Sequence, residues 1–208
     1  MSIVLYHHPW SRAANTVWML EELEQAYELR YVDILAGEQS SDEFRQRNRM
    51  SKLPTIVDGD AEISESAAIG VYLADRYGLG RLAPALDDPA RGPYLRWCFF
   101  APSVIEPGCA AHSSGWEFKP GSVGWGTWEN MLATLEDGIG DGPWLLGDRF
   151  TMADVIVGGT VAFMLNFKMI DERPAFVAYA ERLNQRPARI RANEKNAAIA
   201  DAHGLKQS

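Results

Sequence analysis

Apolar and polar positions in the first eighty residues alternate in short blocks that change period from one block to the next. Ile3 to Tyr6 is an apolar run suited to a buried strand. Ala13 to Ala26 follows with good helix formers and with Val17, Leu20 and Leu23 on helical spacing. Tyr27 to Ile34, rich in aromatic and branched side chains, predicts a second strand, and the resulting βαβ unit makes the two strands parallel. Ser41 to Asn48 reads as a short polar helix. Thr55-Ile56-Val57 and Ala61-Glu62-Ile63 flank Asp58-Gly59-Asp60, whose Asp-Gly pair is a hairpin signal because glycine takes positive φ at low cost. Ser64 or Ser66 is placed to cap a helix that runs to about Tyr77 and stops at Gly78.

The order βαβ, α, ββα is that of a thioredoxin-like domain, a mixed sheet covered on both faces. After Gly78 to Pro93, a linker rich in Gly, Pro and Asp, strand alternation does not return. Asp88-Pro89 marks a helix start that carries Trp97, Phe100 and Val104 on one face, with Pro102 or Pro107 bending or ending it. Further helices are expected over Thr127 to Ile139, from a capping box at Thr151-Met152-Ala153-Asp154 to Leu165, and from near Pro174 and Pro187. The fold class expected is therefore α/β plus all-α, with a thioredoxin-like domain over residues 1–80 and an all-helical domain over 81–208.

Charge and cysteine usage narrow the function classes. The chain has 208 residues, 28 of them acidic and 20 basic, for a net charge of -8. A general nucleic-acid-binding surface is thus a poor expectation. Cys98 and Cys109 would lie ~16 Å apart on one helix, too far for a disulfide. With no run of ~18 apolar residues, a soluble cytoplasmic protein is expected, and no membrane partner. His7, His8, His112 and His203 show no metal-ligand spacing with the cysteines, so no metal is expected.

Lys52-Leu53-Pro54-Thr55 and Ser64-Glu65-Ser66-Ala67-Ala68-Ile69 resemble the glutathione transferase superfamily. The likeness extends to Leu20-Glu21-Glu22-Leu23, Gly37-Glu38-Gln39 and the segment Gly147 to Asp154, in order and over nearly the whole chain. Trp10-Ser11-Arg12 looks like a bacterial serine-type (theta/beta-like) member. The resemblance implies glutathione as co-substrate and a cis Leu53-Pro54 bond. Glu65 would take the α-ammonium of the γ-glutamyl end, and Ser66 its carboxylate, at a helix amino end that suits an anion. The Leu53 main chain would pair with the peptide like an added strand, while Lys52 and Gln39 would hold the glycyl carboxylate. An isolated Ser-Glu-Ser would be only a helix cap; the preceding proline and hairpin favour the ligand role.

An ordinary thiol, with a pKa of ~8.5, is only a few per cent thiolate at neutral pH, so the site must favour the anion. Ser11, just before the first helix, matches the catalytic serine of serine-type members and is the expected catalytic residue, with Tyr6 second. Asn15 stands where relatives carry a basic residue. Tyr6, Trp10, Trp97, Phe100 and Trp116 are the expected acceptor-pocket residues for an apolar electrophile, although each on helical spacing also reads as core. The activity implied is conjugation of glutathione to that electrophile, with dehalogenation, isomerisation, peroxide reduction or a non-catalytic binding module as the rivals. The resemblance also implies a homodimer through Ala68 to Tyr77 and Ala90 to Phe100, which carry Val71, Tyr72, Tyr94 and Trp97 with the charges Asp75, Arg76, Arg91 and Arg96.

Overall fold

The computed structural model describes residues 2–140 and 142–205. Four strands form one mixed sheet: β1 (Ile3–His7), β2 (Tyr27–Tyr31), β3 (Thr55–Asp58) and β4 (Ala61–Ser64), in the order β2-β1-β3-β4. β1 and β2 run parallel, as the βαβ pattern requires, and β3 is antiparallel to both β1 and β4. Gly59, at φ 63°, makes the β3–β4 turn. Helices α1 (Ala13–Leu23), α2 (Asp42–Arg47) and α3 (Ser66–Tyr77) complete the thioredoxin-like arrangement. Ile3, Leu5 and His7 are fully or almost fully buried on one face of β1, whereas Tyr6 on the other face packs with Val32 and Phe44 of α2.

Element ends differ from the pattern where the backbone finds a local alternative. α1 stops three residues early because Glu24 turns left-handed, so that its N–H and that of Gln25 return to the carbonyls of Glu21 and Leu20. β2 stops at Tyr31 because Asp33 then accepts the amides of Leu35 and Ala36 and closes a turn. Neither Ser64 nor Ser66 caps α3. The N-cap is Glu65, at φ 70° and ψ 116°, and no side chain bonds the helix start.

Helices α4 (Arg91–Phe100), α5 (Glu106–Ser113), α6 (Trp128–Ile139), α7 (Met152–Asn166) and α8 (Pro174–Asn184) follow, then α9 (Pro187–Ala202). Asp88 caps the approach to α4 by accepting the Ala90 amide, and the helix begins at Arg91 rather than Pro89. Pro102 neither ends nor breaks the run: Ala101–Ile105 widens into a π-helical turn that joins α4 to α5. The Thr151–Asp154 capping box is present, and Asp154 also accepts the Leu145 amide and the Tyr179 hydroxyl, each at 2.9 Å. A Cβ on Gly158 would lie 2.1 Å from Leu183 Cδ1, so a larger residue on α7 would force the Leu183 side chain of α8 to shift.

Two compact units result, but the boundary expected at residue 80 describes only one end of the first. Residues up to Gly78 form that unit together with those from Arg186 on, and Leu79–Gln185 forms the other. The reason lies in charge. Arg186 of the segment entering α9 grips Glu22 of α1 through two bonds of 2.6 and 2.8 Å, and Arg191 and Lys195 hold Glu21 at 2.8 and 2.5 Å. Both glutamates are buried, and breaking such pairs would strand a charge. Burial raises the Glu21 carboxyl, but the bonds from Lys195, Tyr27 and Arg191 outweigh it and leave the pKa below its ordinary value.

Cys98 and Cys109 are free thiols in the core of the second unit. Tyr94 and Trp97 are buried there as well, so α4 spends these two aromatic side chains within its own unit. Arg76 pairs with Asp58 at 3.2 Å and Arg91 donates to the Pro84 carbonyl at 3.1 Å, so these charges already have partners inside the chain. Among the described residues no helix is long and apolar enough to cross a membrane, and no three His, Cys, Asp or Glu side chains gather as a metal site.

Candidate functional site

Strand register brings four loops to one end of the sheet. Tyr6 pairs with Thr55 and Thr55 with Ser64, while His7 pairs with Tyr31 on the other side. The segments that leave this row are the turn holding Ser11, the Leu53-Pro54 segment, the Glu65–Ser66 entry to α3 and the loop holding Gln39. Ser11 and Ser66 thus follow strands two places apart, a separation of ~10 Å at the usual strand spacing.

Ser11 lies half-buried ahead of α1. Its hydroxyl donates to the His8 carbonyl at 2.8 Å and accepts the Ala13 amide at 3.1 Å. The helix start itself has no other side-chain cap. Asn15, one turn on, accepts from Arg189 of α9 at 3.4 Å on its Oδ1. Burial lowers the pKa of that guanidinium. Tyr6 is 7% exposed, its ring against Phe44 and its hydroxyl accepting from Arg30 at 3.3 Å.

Leu53-Pro54 is a cis peptide, as the resemblance implies. Asn48, buried at the end of α2, holds the loop before it: its amide donates to the Lys52 carbonyl at 3.0 Å and to Thr55 Oγ1 at 3.2 Å, and its oxygen accepts the Met50 amide. Asn48 is not among the residues that the sequence motifs single out, and the signal for it is an asparagine that ends a short helix before a Ser-Lys-Leu-Pro loop. Among the described residues the main chain of Leu53 makes no hydrogen bond. Lys52 is exposed and Gln39 half-buried, with a Gln39 Oε1 that is buried and unpartnered.

The first bond at the start of α3 is from the Ile69 amide to the Glu65 carbonyl, so the amides of Ser66, Ala67 and Ala68 stay unpartnered among the described residues. They and the Ser66 hydroxyl form an uncapped positive helix end. Glu65 is exposed and holds a backbone conformation that costs a non-glycine residue about 1–3 kcal/mol. Strain of this kind clusters at active sites and ligand clamps.

The acceptor residues divide. Tyr6 and Trp97 are core side chains, the latter with its ring against Gly138 and Arg96 over it at 4.0 Å. Phe100 packs edge-on to Trp97. Trp10 is 40% exposed beside the Ser11 turn, and in the helical unit the exposed Trp116 lines a cavity of about 320 Å³ with Phe118, Trp125, Trp128 and His112. Also missed from sequence are His7 and His8, considered only as metal ligands, and both are wholly buried under the site.

Comparison with known proteins agrees with this construction. Family models of the glutathione S-transferase N-terminal and C-terminal domains match residues 1–75 and 102–182. Glutathione S-transferase 2 of Schizosaccharomyces pombe is 30% identical over 216 residues, spanning 88% of this chain and 91% of its own. Human glutathione S-transferase theta-2 is 30% identical over 172 residues, 75% of this chain and 69% of its own. Among solved structures, a glutathione transferase of Phanerochaete chrysosporium with oxidized glutathione superposes with a TM-score of 0.77 at 25% identity, covering 96% of this chain and 97% of that one. One from Methylococcus capsulatus does so with a TM-score of 0.77 at 27% identity, covering 95% and 100%. With its mixed sheet, its helical unit and these matches along both, the chain belongs to the glutathione S-transferase family.

Proposed function

We propose that this transferase binds glutathione across the sheet end and adds its thiolate to an apolar electrophile. The observation that carries the reading is the convergence of Ser11, the Leu53 main chain and the uncapped α3 start on one row of the sheet. The γ-glutamyl arm of the extended tripeptide, from its carboxylate to the cysteinyl sulfur, reaches across the two-strand separation between Ser66 and Ser11. Ser66 and the free α3 amides take the γ-glutamyl carboxylate, and the exposed Glu65 takes the ammonium beside it. The unpaired Leu53 main chain gives strand-like bonds to the cysteinyl residue. Lys52 and Gln39 receive the glycyl carboxylate.

At the sulfur, Ser11 turns its hydroxyl from the His8 carbonyl to the thiolate and favours the anion, the serine-type mode. The sulfur then forms a bond to the electrophilic carbon, and the leaving group departs with its electron pair, or the pair moves into the acceptor in an addition. Trp10, exposed beside the Ser11 turn, offers aromatic surface for an apolar acceptor. Reduced buried thiols at Cys98 and Cys109 support a cytoplasmic setting. Calorimetric titration with glutathione and turnover of a generic aryl halide test the reading: saturable binding with turnover is expected, and binding without turnover on any aryl halide would overturn conjugation in favour of isomerisation, peroxide reduction or a binding module.

A further inference from the structure

The turn that presents Ser11 is organised by a histidine. His8 is wholly buried, and its ring Nδ1 accepts the Trp10 amide at 3.1 Å. Its carbonyl accepts both the Ser11 amide, at 3.0 Å, and the Ser11 hydroxyl, at 2.8 Å. One residue therefore makes three bonds to the two positions that follow its neighbour Pro9. A side-chain acceptor closing onto the amide two residues ahead is the geometry that asparagine and aspartate use in Asx turns. Here an imidazole occupies that role.

The same bond fixes the ring's proton. A nitrogen that accepts holds a lone pair, so the neutral ring carries its hydrogen on Nε2, an atom that is buried and has no hydrogen-bond partner among the described residues. Packing holds the ring in place. Tyr31 lies against it at 5.4 Å, Trp10 meets it edge-on at 5.9 Å, and His203, beyond α9, stacks on the outer face of Tyr31 at 3.5 Å. A ring held only for packing would not need its Nδ1 aimed at the Trp10 amide.

We propose that His8 is a positioning residue for Ser11: its Nδ1 acts as the fixed acceptor that shapes the 8–11 turn and so aims the serine hydroxyl at the sulfur of bound glutathione. The inference rests on the assignment of Ser11 to the thiolate. His8 touches neither substrate nor sulfur in this scheme. Its effect passes through Ser11, which makes the two residues one unit rather than two independent contributions.

The test compares the parent with His8→Phe, His8→Asn, Ser11→Ala and the His8→Phe/Ser11→Ala double variant. Thiolate absorbance of bound glutathione against pH is read together with kcat and KM. His8→Phe keeps a ring but loses the acceptor, and is expected to raise the bound thiol pKa by about one unit and to lower kcat about tenfold, with KM for glutathione little changed. His8→Asn restores an acceptor two residues before Trp10 and should return the thiol pKa toward the parent value. The double variant should be no worse than Ser11→Ala alone. If Ser11→Ala shifts the thiol but His8→Phe does not, or if His8→Asn is as impaired as His8→Phe, the positioning role is overturned while the Ser11 assignment stands. If Ser11→Ala itself shifts nothing, the Ser11 assignment fails and takes this inference with it. Nitrogen NMR of the His8 ring in the folded parent does not depend on any variant folding: an Nε2-protonated neutral ring is expected, and an Nδ1-protonated ring would overturn the proposal.

Discussion

Asn196 on α9 accepts the Nε2–H of His7 on β1 at 2.7 Å while its own amide donates to the Ala14 carbonyl of α1 at 3.2 Å. One asparagine thus ties the last helix to the central strand and to the helix that follows the site. Burial pushes the His7 imidazole down to about 4, against a smaller upward effect of the Asn196 bond, and the neighbouring His8 lowers it further.

A histidine kept neutral in the folded state makes stability depend on pH. Between pH ~6.5 and 4 the unfolded chain binds a proton at His7 that the folded chain refuses, so stability falls as pH is lowered through this window. The contribution of this one group is at most about 1.4 kcal/mol per pH unit. Urea unfolding at several pH values should show a shallower slope in His7→Gln, which keeps an N–H donor for Asn196 but does not titrate. An unchanged slope would assign the acid sensitivity elsewhere.

Asp154 is the polar centre of the helical unit, where the Leu145 and Thr151 amides and the Tyr179 hydroxyl converge on its two oxygens. Asp154→Ala leaves these buried donors without an acceptor. The expected loss is about 3 kcal/mol or more, read as a fall in the urea midpoint with little change in slope.

Ser66→Ala removes a donor to the γ-glutamyl carboxylate but leaves the α3 amides in place. A hydrogen bond to a charged group is worth about 1.5–3 kcal/mol, so glutathione affinity should fall on the order of tenfold or more. Calorimetry on the folded variant checks this, and an unchanged Kd would remove Ser66 from the site.

Tyr6→Phe discriminates the two thiolate candidates. Tyr6 is almost fully buried with its ring packed against Phe44, so the bound thiol should titrate as in the parent, whereas Ser11→Ala should raise its pKa. The reverse pattern would make the tyrosine the catalytic group.

Association into a homodimer is expected from the family resemblance. Since Tyr94 and Trp97 are spent inside the chain, the exposed Phe99 of α4 and the half-buried Val71 and Tyr72 of α3 are the side chains left to carry it. Light scattering at micromolar concentration should give about twice the 23.1 kDa chain mass, and Phe99→Asp should lower it. A monomer in the parent would refute the dimer and leave the glutathione site untouched.

The sequence by itself determined the element order up to α3, the parallel βαβ unit, the β3–β4 hairpin and the Thr151–Asp154 box, because each is written in contacts no more than a few residues apart or in a single period. Ser11, Leu53-Pro54 and Glu65-Ser66, the contacts proposed for glutathione, were legible as short motifs at element boundaries that resemble the family's. Tertiary structure decided what depends on distant partners. Arg186, Arg191, Lys195 and Asn196 placed α9 with the first unit because their partners Glu21, Glu22 and His7 lie more than 160 positions away in the chain. The same holds for Tyr6 and Trp97, whose spacing is equally that of a pocket wall or a core, and which neighbours on facing elements bury. The uncapped start of α3 belongs here too: a serine before a helix reads as a cap, and only the left-handed turn at Glu65 leaves its amides free for a ligand.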